Sequence, residues 1–184
     1  SPIALYTPAL FSDNFQTPDD YNIPPFYSGF IRTLRYFSFV LSIFLPGVYV
    51  AIGTFHQELI PTSMLFTIAR EEITTPYSLM TEALMLLILY EIMREAGLRL
   101  PKAVGHAVSI IGGIVIGETT VSAGLIGAPM LVVIALTAIS SYVVSSLYES
   151  VSVLRFFFIL IGGLTGMYGI ILAASVLCMN ICAI

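Results

Sequence analysis

Four long stretches of this sequence contain no Asp, Glu, Lys or Arg, and they constrain the fold more than any other feature. They are Tyr36–Phe55, Ala103–Gly117, Thr119–Tyr148 and Phe156–Ile184. A helix of about 20 apolar residues crosses the roughly 30 Å of hydrocarbon in a bilayer. Only 10% of the 184 residues are charged, whereas a soluble domain has roughly 25%. The sequence therefore predicts an all-α, polytopic transmembrane helical bundle.

We predict about five membrane spans, each bounded by Pro, Gly or charge, so that the two ends of the chain lie on opposite sides. They are Leu34–Phe55, Tyr77–Met93, Ala103–Leu125, Met130–Leu147 and Phe156–Ile181. Residues 103–127 are rich in Gly and contain Glu118, which leaves open whether they span or re-enter. Either alternative keeps them off the lipid, because irregular backbone at membrane depth must be buried in protein or line water. Pro46 predicts a kink in the first span.

Residues 1–31 differ from the rest and predict a separate region. They contain five of the ten prolines and also Asp13, Asp19 and Asp20. This composition is typical of an extended juxtamembrane connector. The sequence opens without Met and stops within an apolar run, so we expect it to be part of a longer protein. Residues 1–31 would then end a preceding cytoplasmic domain, and 32–184 would form the transmembrane domain.

The basic residues predict an orientation. On the five-span topology, six of them fall in connecting segments on one side: Arg32, Arg35, Arg94, Arg99, Lys102 and Arg155. Arg70 alone falls on the other side. Since Lys and Arg are enriched in cytoplasmic loops, the N-terminal side is predicted to be cytoplasmic.

Small residues recur every four positions along the third segment, at Gly105, Ser109, Gly113 and Gly117. Such a stripe permits close approach of a second helix in lipid. Two interpretations stay open: helix packing within one chain, and a subunit interface or pore wall. Gly162, Gly166 and Gly169 repeat the pattern in the last segment.

Three glutamates lie inside apolar segments, where a charge usually faces a bundle interior or water. Glu82 and Glu91 are nine residues apart, which places them about 180° from each other and about 13 Å apart along one helix. They do not form a paired-carboxylate site alone. Arg94 follows Glu91 at i+3 and predicts a structural ion pair. Glu118 is a candidate pore carboxylate; an outer-surface position wetted by water and a buried hydrogen-bonded position are the alternatives.

Several classes of function find no support in the sequence. His56 and His106 are the only histidines, and no metalloprotease, P-loop or nucleophile-elbow motif occurs, so we expect no enzyme and no cofactor. With a net charge of −4 and scattered basic residues, nucleic-acid binding is not expected. Cys178 and Cys182 have no His or carboxylate nearby to complete a metal site.

Four segments carry a resemblance to a known family: Asn14 to Tyr21 (NFQTPDDY), Thr54 to Thr62 (TFHQELIPT), Glu91 to Pro101 (EIMREAGLRLP) and Val115 to Glu118 (VIGE). Over nearly its whole length the chain resembles the membrane domain of the A subunits of spore germinant receptors, together with the related stage V sporulation AF protein. One departure is that many members carry Gln at the position of Glu118.

The resemblance implies a cytoplasmic domain before Ser1 and a location in the inner membrane of an endospore. It also implies a complex with a transporter-like B subunit and a lipoprotein C subunit. A subunits would form homo-oligomers around a nutrient-gated pathway for monovalent cations, with Ser109, Gly113, Gly117 and Glu118 lining or bordering it. Glu82, Glu91 and Arg94 would stabilise the bundle.

Two rival functions stay open. The first is a non-conducting scaffold or signal-relay subunit of the same complex, whose buried carboxylates only hold helices together. The second is a secondary transporter, for which we expect two related halves. No internal repeat is visible in the sequence.

Overall fold

Helices form nearly all of the chain. The computed structural model describes residues 10–183, with the side chains of 102–109, 111, 116, 145 and 183 left aside. Its helices are α1 (Pro25–Phe55), α2 (Thr62–Thr74), α3 (Leu79–Arg99), α4 (Lys102–Ser122), α5 (Ala128–Val143) and α6 (Tyr148–Ala183). Short 3₁₀ turns lie at Phe11–Phe15, Pro18–Tyr21, Gln57–Leu59 and Ser145–Leu147, and residues 10–183 contain no strand. The all-α prediction is confirmed.

The helix lengths do not confirm five straight spans. Within the described part of the chain, α1 and α6 are long and apolar enough to cross a membrane. A third crossing is added if α2 and α3, which meet at 78°, count as one broken span. α5 is apolar but has only 16 residues, about 24 Å of helix. α4 runs without a break over 21 residues.

Helix α1 begins inside the predicted connector and passes through its internal proline. Pro25 occupies the first turn, where its fixed φ suits a helix and its missing N–H costs nothing. The helix has 31 residues and includes Pro46. Its length of about 46 Å exceeds the hydrocarbon thickness of about 30 Å. The start of α1 therefore extends beyond a membrane core that the rest of it can span.

Helix α6 is a hairpin, although its whole length is apolar enough for one long span. Gly166 has φ 69° and ψ −155°, a left-handed backbone that favours glycine. As one straight helix, Leu147 and Ile181 would lie about 50 Å apart, yet both line the same groove. The predicted fifth span, Phe156–Ile181, is therefore two arms, 148–165 and 167–183, and Gly166 makes the turn instead of continuing a packing stripe.

The two ends of the bundle follow from this hairpin. At one end, which we call the Gly166 end, a Cβ on Gly166 would contact Phe55 and His56, and one on Gly127 would contact Glu71 and Glu82. At the other, the connector end, Phe11 and Ile181 line one groove. The described chain thus starts and stops at the same end of the bundle, whereas five crossings predicted opposite sides.

Two apolar clusters form the core. One joins α1, α3, α5 and α6 through Val50, Leu79, Ala83, Leu86, Leu87, Ile126, Met130, Ile134 and Ile159. The other joins α1 to both arms of α6 through Ile43, Ala51, Val151, Phe158 and Ile170. α1 packs most extensively against α6 and then against α5, and α4 packs mainly against α3. α4 is therefore the peripheral long helix of the bundle.

Helices α1 and α6 approach each other most closely at two glycines. A Cβ on Gly162 would lie 2.5 Å from the carbonyl oxygen of Gly47, and a Cβ on Gly47 would lie 2.7 Å from that of Phe158. Backbone atoms on both sides leave no room for a side chain. The small-residue packing expected at Gly162 is thus found against α1.

The predicted connector is folded down onto α1. The side chain of Asp20 is 2% exposed and accepts two hydrogen bonds from Arg35, at 2.5 and 2.9 Å. Arg35 also donates to the carbonyl of Phe15 at 2.9 Å, and the Phe15 ring, 1% exposed, stacks on Tyr36. The Arg35 guanidinium, with help from the Thr17 backbone N–H, holds the pKa of Asp20 well below its usual range. Asp20 is therefore a charged anchor for the connector.

Candidate functional site

A fully buried arginine compensates for the proline in α1. Pro46 has no N–H, so the carbonyl of Ser42, four residues earlier, loses its helical donor. Arg155 on α6 is 0% exposed, and its Nε donates to the Ser42 oxygen at 2.9 Å. A buried carbonyl without a donor is costly. The hydrogen bond from Arg155 on α6 therefore stabilises the irregular turn that Pro46 creates in α1.

The other two nitrogens of Arg155 have no hydrogen-bond partner among the described residues. Its charge interacts with Glu91 and Arg94 at longer range. Arg155 was predicted to lie in a connecting segment on the cytoplasmic side; the structure corrects this, since Arg155 lies inside the bundle. Intramembrane arginines commonly have functional roles. The missed signal was the charge immediately before a long apolar run.

Glu91 lies at the centre of a polar cluster between α3 and α6. Its carboxylate accepts hydrogen bonds from Tyr148 Oη at 2.8 Å and from Ser152 Oγ at 3.1 Å. Arg94 Nη1 lies 3.5 Å from Glu91 Oε1, and the Arg94 guanidinium lies 3.1 Å from the centroid of the Tyr148 ring. These contacts join α3 to α6, so a displacement of one helix along the other would change them.

Glu82 occupies a different site at the Gly166 end. It is 2% exposed, and its Oε2 accepts a long hydrogen bond of 3.4 Å from the N–H of Gly127, directly before α5. Glu72 of α2 is close enough for electrostatic repulsion, and both glutamates line a cavity of about 10 Å³ with Tyr49. That volume suits about one water molecule. As expected from their spacing, Glu82 and Glu91 lie in separate sites and contact different residues.

The predicted pore residues that the structure describes lie on α4 and border one groove. Glu118 is exposed, and it borders an open groove of about 540 Å³ together with Gly113, Gly117 and residues of α5. Gly117 is buried beneath Leu131, whereas Gly113 is exposed. The side chain of Ser109 lies outside the described residues. Of the two stripe glycines that the structure describes, one is thus covered within the chain and the other is not.

These groups can bind charges and link helices. Among the side chains that the structure describes, no group of three or more His, Cys, Asp or Glu could hold a metal ion. Cys178 and Cys182 are free and exposed on the second arm of α6. Three candidate sites result: the Glu82 cavity, the Glu118 face, and the groups around Glu91 and the nearby Arg155, which we call the Arg155–Glu91 polar cluster (Ser42, Glu91, Arg94, Tyr148, Ser152 and Arg155).

Comparison with known proteins identifies the relatives of the chain. Residues 1–184 match the family model described as GerA, Bacillus/Clostridium GerA spore germination protein. Spore germination protein KA of Bacillus subtilis is 41% identical over the whole chain, which covers 34% of that protein. Spore germination protein GerQA of Bacillus cereus is 40% identical, with 96% of the chain and 36% of the relative covered.

A third relative, the membrane protein YfkQ of Bacillus subtilis, is 38% identical over 99% of the chain and 36% of its own length. The chain thus spans about a third of the length of these relatives. No solved structure matches it.

Proposed function

Because the chain belongs to the GerA spore germination protein family, we propose that it is the membrane part of a nutrient-responsive germinant receptor subunit. In this proposal several copies assemble around α4 and form or border a cation pathway that triggers germination. The complex would include a transporter-like B subunit and a lipoprotein C subunit. It would lie in the inner membrane of an endospore, with the N-terminal side cytoplasmic.

One observation carries the proposal. Ile110, Ile114 and Glu118 follow each other at four-residue intervals on α4, and all three are exposed. A carboxylate among apolar side chains on a membrane-facing surface costs roughly 3 kcal/mol on insertion scales. Contact between copies that turns this face toward a shared aqueous pathway removes that cost, and a ring of carboxylates favours cations.

The test is single-channel recording of purified protein in planar bilayers. Glu118→Lys reverses the charge at the ring and is expected to lower the cation-to-anion permeability ratio about tenfold or more, with assembly intact. Glu118→Gln keeps a polar oxygen and is expected to change the ratio less. Glu149→Lys is the matched control, since Glu149 is an exposed glutamate at the start of α6. Parental selectivity in Glu118→Lys would remove Glu118 from the pathway.

The second candidate is a non-conducting scaffold or relay subunit, and the Arg155–Glu91 polar cluster favours it. The cluster joins α1, α3 and α6 through Ser42, Glu91 and Arg155, which suits transmission of a displacement. Purified protein that assembles normally and passes no current would support this candidate over conduction.

A further inference from the structure

We propose that α2 is an interfacial helix that lies in the plane of the bilayer surface and binds lipid through Phe66, Ala69, Arg70 and Ile73. This role of α2 requires that the chain lies in a membrane, and it is independent of ion conduction. The proposed partner of α2 is the boundary between phospholipid headgroups and acyl chains. A second copy of the chain is the alternative that the experiment separates.

The position of α2 is the first support. α2 connects the end of α1 with the start of α3, and its axis makes an angle of 78° with α3. α3 shares an apolar core with α1, which is long and apolar enough to cross a membrane. In this proposal α3 crosses alone instead of forming one broken span with α2, and α2, nearly perpendicular to it, runs nearly parallel to the membrane surface. Its 13 residues extend about 20 Å. In this orientation α2 runs along the membrane surface and penetrates the membrane little.

The three sides of α2 have different chemistry. The inward side holds Leu65, Ile68 and Glu72, the first two half-buried and the third close to Glu82. A second side holds Phe66, Ala69 and Ile73, which follow at i, i+3 and i+7 and so share one line of the helix. Phe66 is 76% and Ile73 86% exposed. No described element covers this apolar line.

The third side is hydrophilic. Ser63, Thr67 and Thr74 form a hydroxyl line, and all three are exposed. Arg70 projects between the apolar and hydroxyl lines, is exposed and makes no ion pair with the described residues. An interfacial helix places its apolar side against acyl chains, its cations near the phosphates and its hydrophilic side in water. The sides of α2 follow this order. α2 also contains Glu71 and Glu72, so the contact with a lipid phosphate is assigned to Arg70 alone, beside the exposed apolar line.

The chain contains no tryptophan, so one introduced residue reports on its own surroundings. We would compare Phe66→Trp with Thr67→Trp, adjacent exposed positions on the apolar and hydroxyl lines, in the protein reconstituted into phosphatidylcholine and phosphatidylglycerol vesicles. Phe157→Trp, on an exposed position of α6, is the lipid-facing control. Quenching is measured with brominated lipid in the membrane and with acrylamide in the water.

We expect Phe66→Trp to have blue-shifted emission and to lose about half or more of it to brominated lipid, while Thr67→Trp responds mainly to acrylamide. Adding Arg70→Gln should reduce the lipid quenching at position 66 more in anionic than in zwitterionic vesicles. Equal responses at positions 66 and 67 would overturn the proposal. Protection of position 66 from both quenchers would also overturn it, because that result assigns the surface to another copy of the chain.

Discussion

Arg155 and Pro46 are predicted to be energetically coupled across the α1–α6 interface. Pro46 leaves the Ser42 carbonyl without a helical donor, and Arg155 Nε supplies one at 2.9 Å. Arg155→Met removes the donor and keeps a long apolar side chain. Pro46→Ala restores a backbone N–H at position 46. The double variant therefore has a helical donor for Ser42 in place of the arginine.

The magnitude follows from the groups that gain or lose partners. A hydrogen bond from a charged donor contributes about 1.5–3 kcal/mol, and a buried polar group without a partner costs about 1–3 kcal/mol. Arg155→Met loses the first term and also removes two unpaired nitrogens, so its net effect on the parent is expected to be small. In the Pro46→Ala background the Ser42 carbonyl stays paired. The coupling energy between the substitutions is expected to be about 1–2 kcal/mol.

The assay is a double-mutant cycle on the free energy of unfolding, measured by SDS titration in mixed micelles. Arg99→Met, paired with Pro46→Ala, is the control cycle, because the Arg99 side chain is 80% exposed and bonds to Glu95. The control pair should be additive within about 0.5 kcal/mol. If Arg155→Met and Pro46→Ala were equally additive, the bond to Ser42 would not be what retains a charge inside the bundle.

Two further predictions concern helix packing and the connector. Gly162→Ala places a Cβ 2.5 Å from the Gly47 oxygen and should lower the free energy of unfolding by about 1–3 kcal/mol. Gly29→Ala, with nothing within 4 Å, should raise it by about 0.5–1 kcal/mol; equal effects would contradict the close approach. Asp20→Asn should lower thermal stability. Because Arg35 depresses the pKa of Asp20 below the usual 3.8, its contribution is complete above that pH and is lost as pH falls toward the lower, folded-state value. The difference in Tm between parent and variant should therefore be constant from about pH 8 to 5 and shrink below about pH 4; a difference that fades near neutrality would contradict the assignment.

The sequence was sufficient for the helical class and for much of the chemistry, because these depend on local composition and spacing. Charge-free runs predicted apolar helices, and the i+3 spacing of Glu91 and Arg94 placed those side chains together. The connector was predicted to be extended, whereas its described residues form 3₁₀ turns that pack on α1. Its turns depend on Asp20 meeting Arg35 on α1, which is a contact between separate segments.

Other features depended on three-dimensional proximity that no spacing encodes. Gly166 belongs to a glycine-rich run that is equally compatible with a straight helix packed on a neighbour and with a turn between two helices. Only the positive φ of Gly166 distinguishes the turn. The position of Arg155 directly before an apolar run is typical of a loop residue. Its burial is explained only by its hydrogen bond to the Ser42 carbonyl on another helix. The neighbours of Glu82 come from α2 and from the turn before α5. For these residues, charge and polarity are visible in the sequence, but the interacting partner is not.

The folded connector has a mechanical consequence. Arg35 clamps it to α1 through Phe15 and Asp20, while Ser146, in the turn before α6, donates a hydrogen bond to the Asn14 carbonyl at 3.0 Å. The connector is therefore held at two points, one on α1 and one in the turn before α6. Force transmitted through residues 10–21 would act on both points at once.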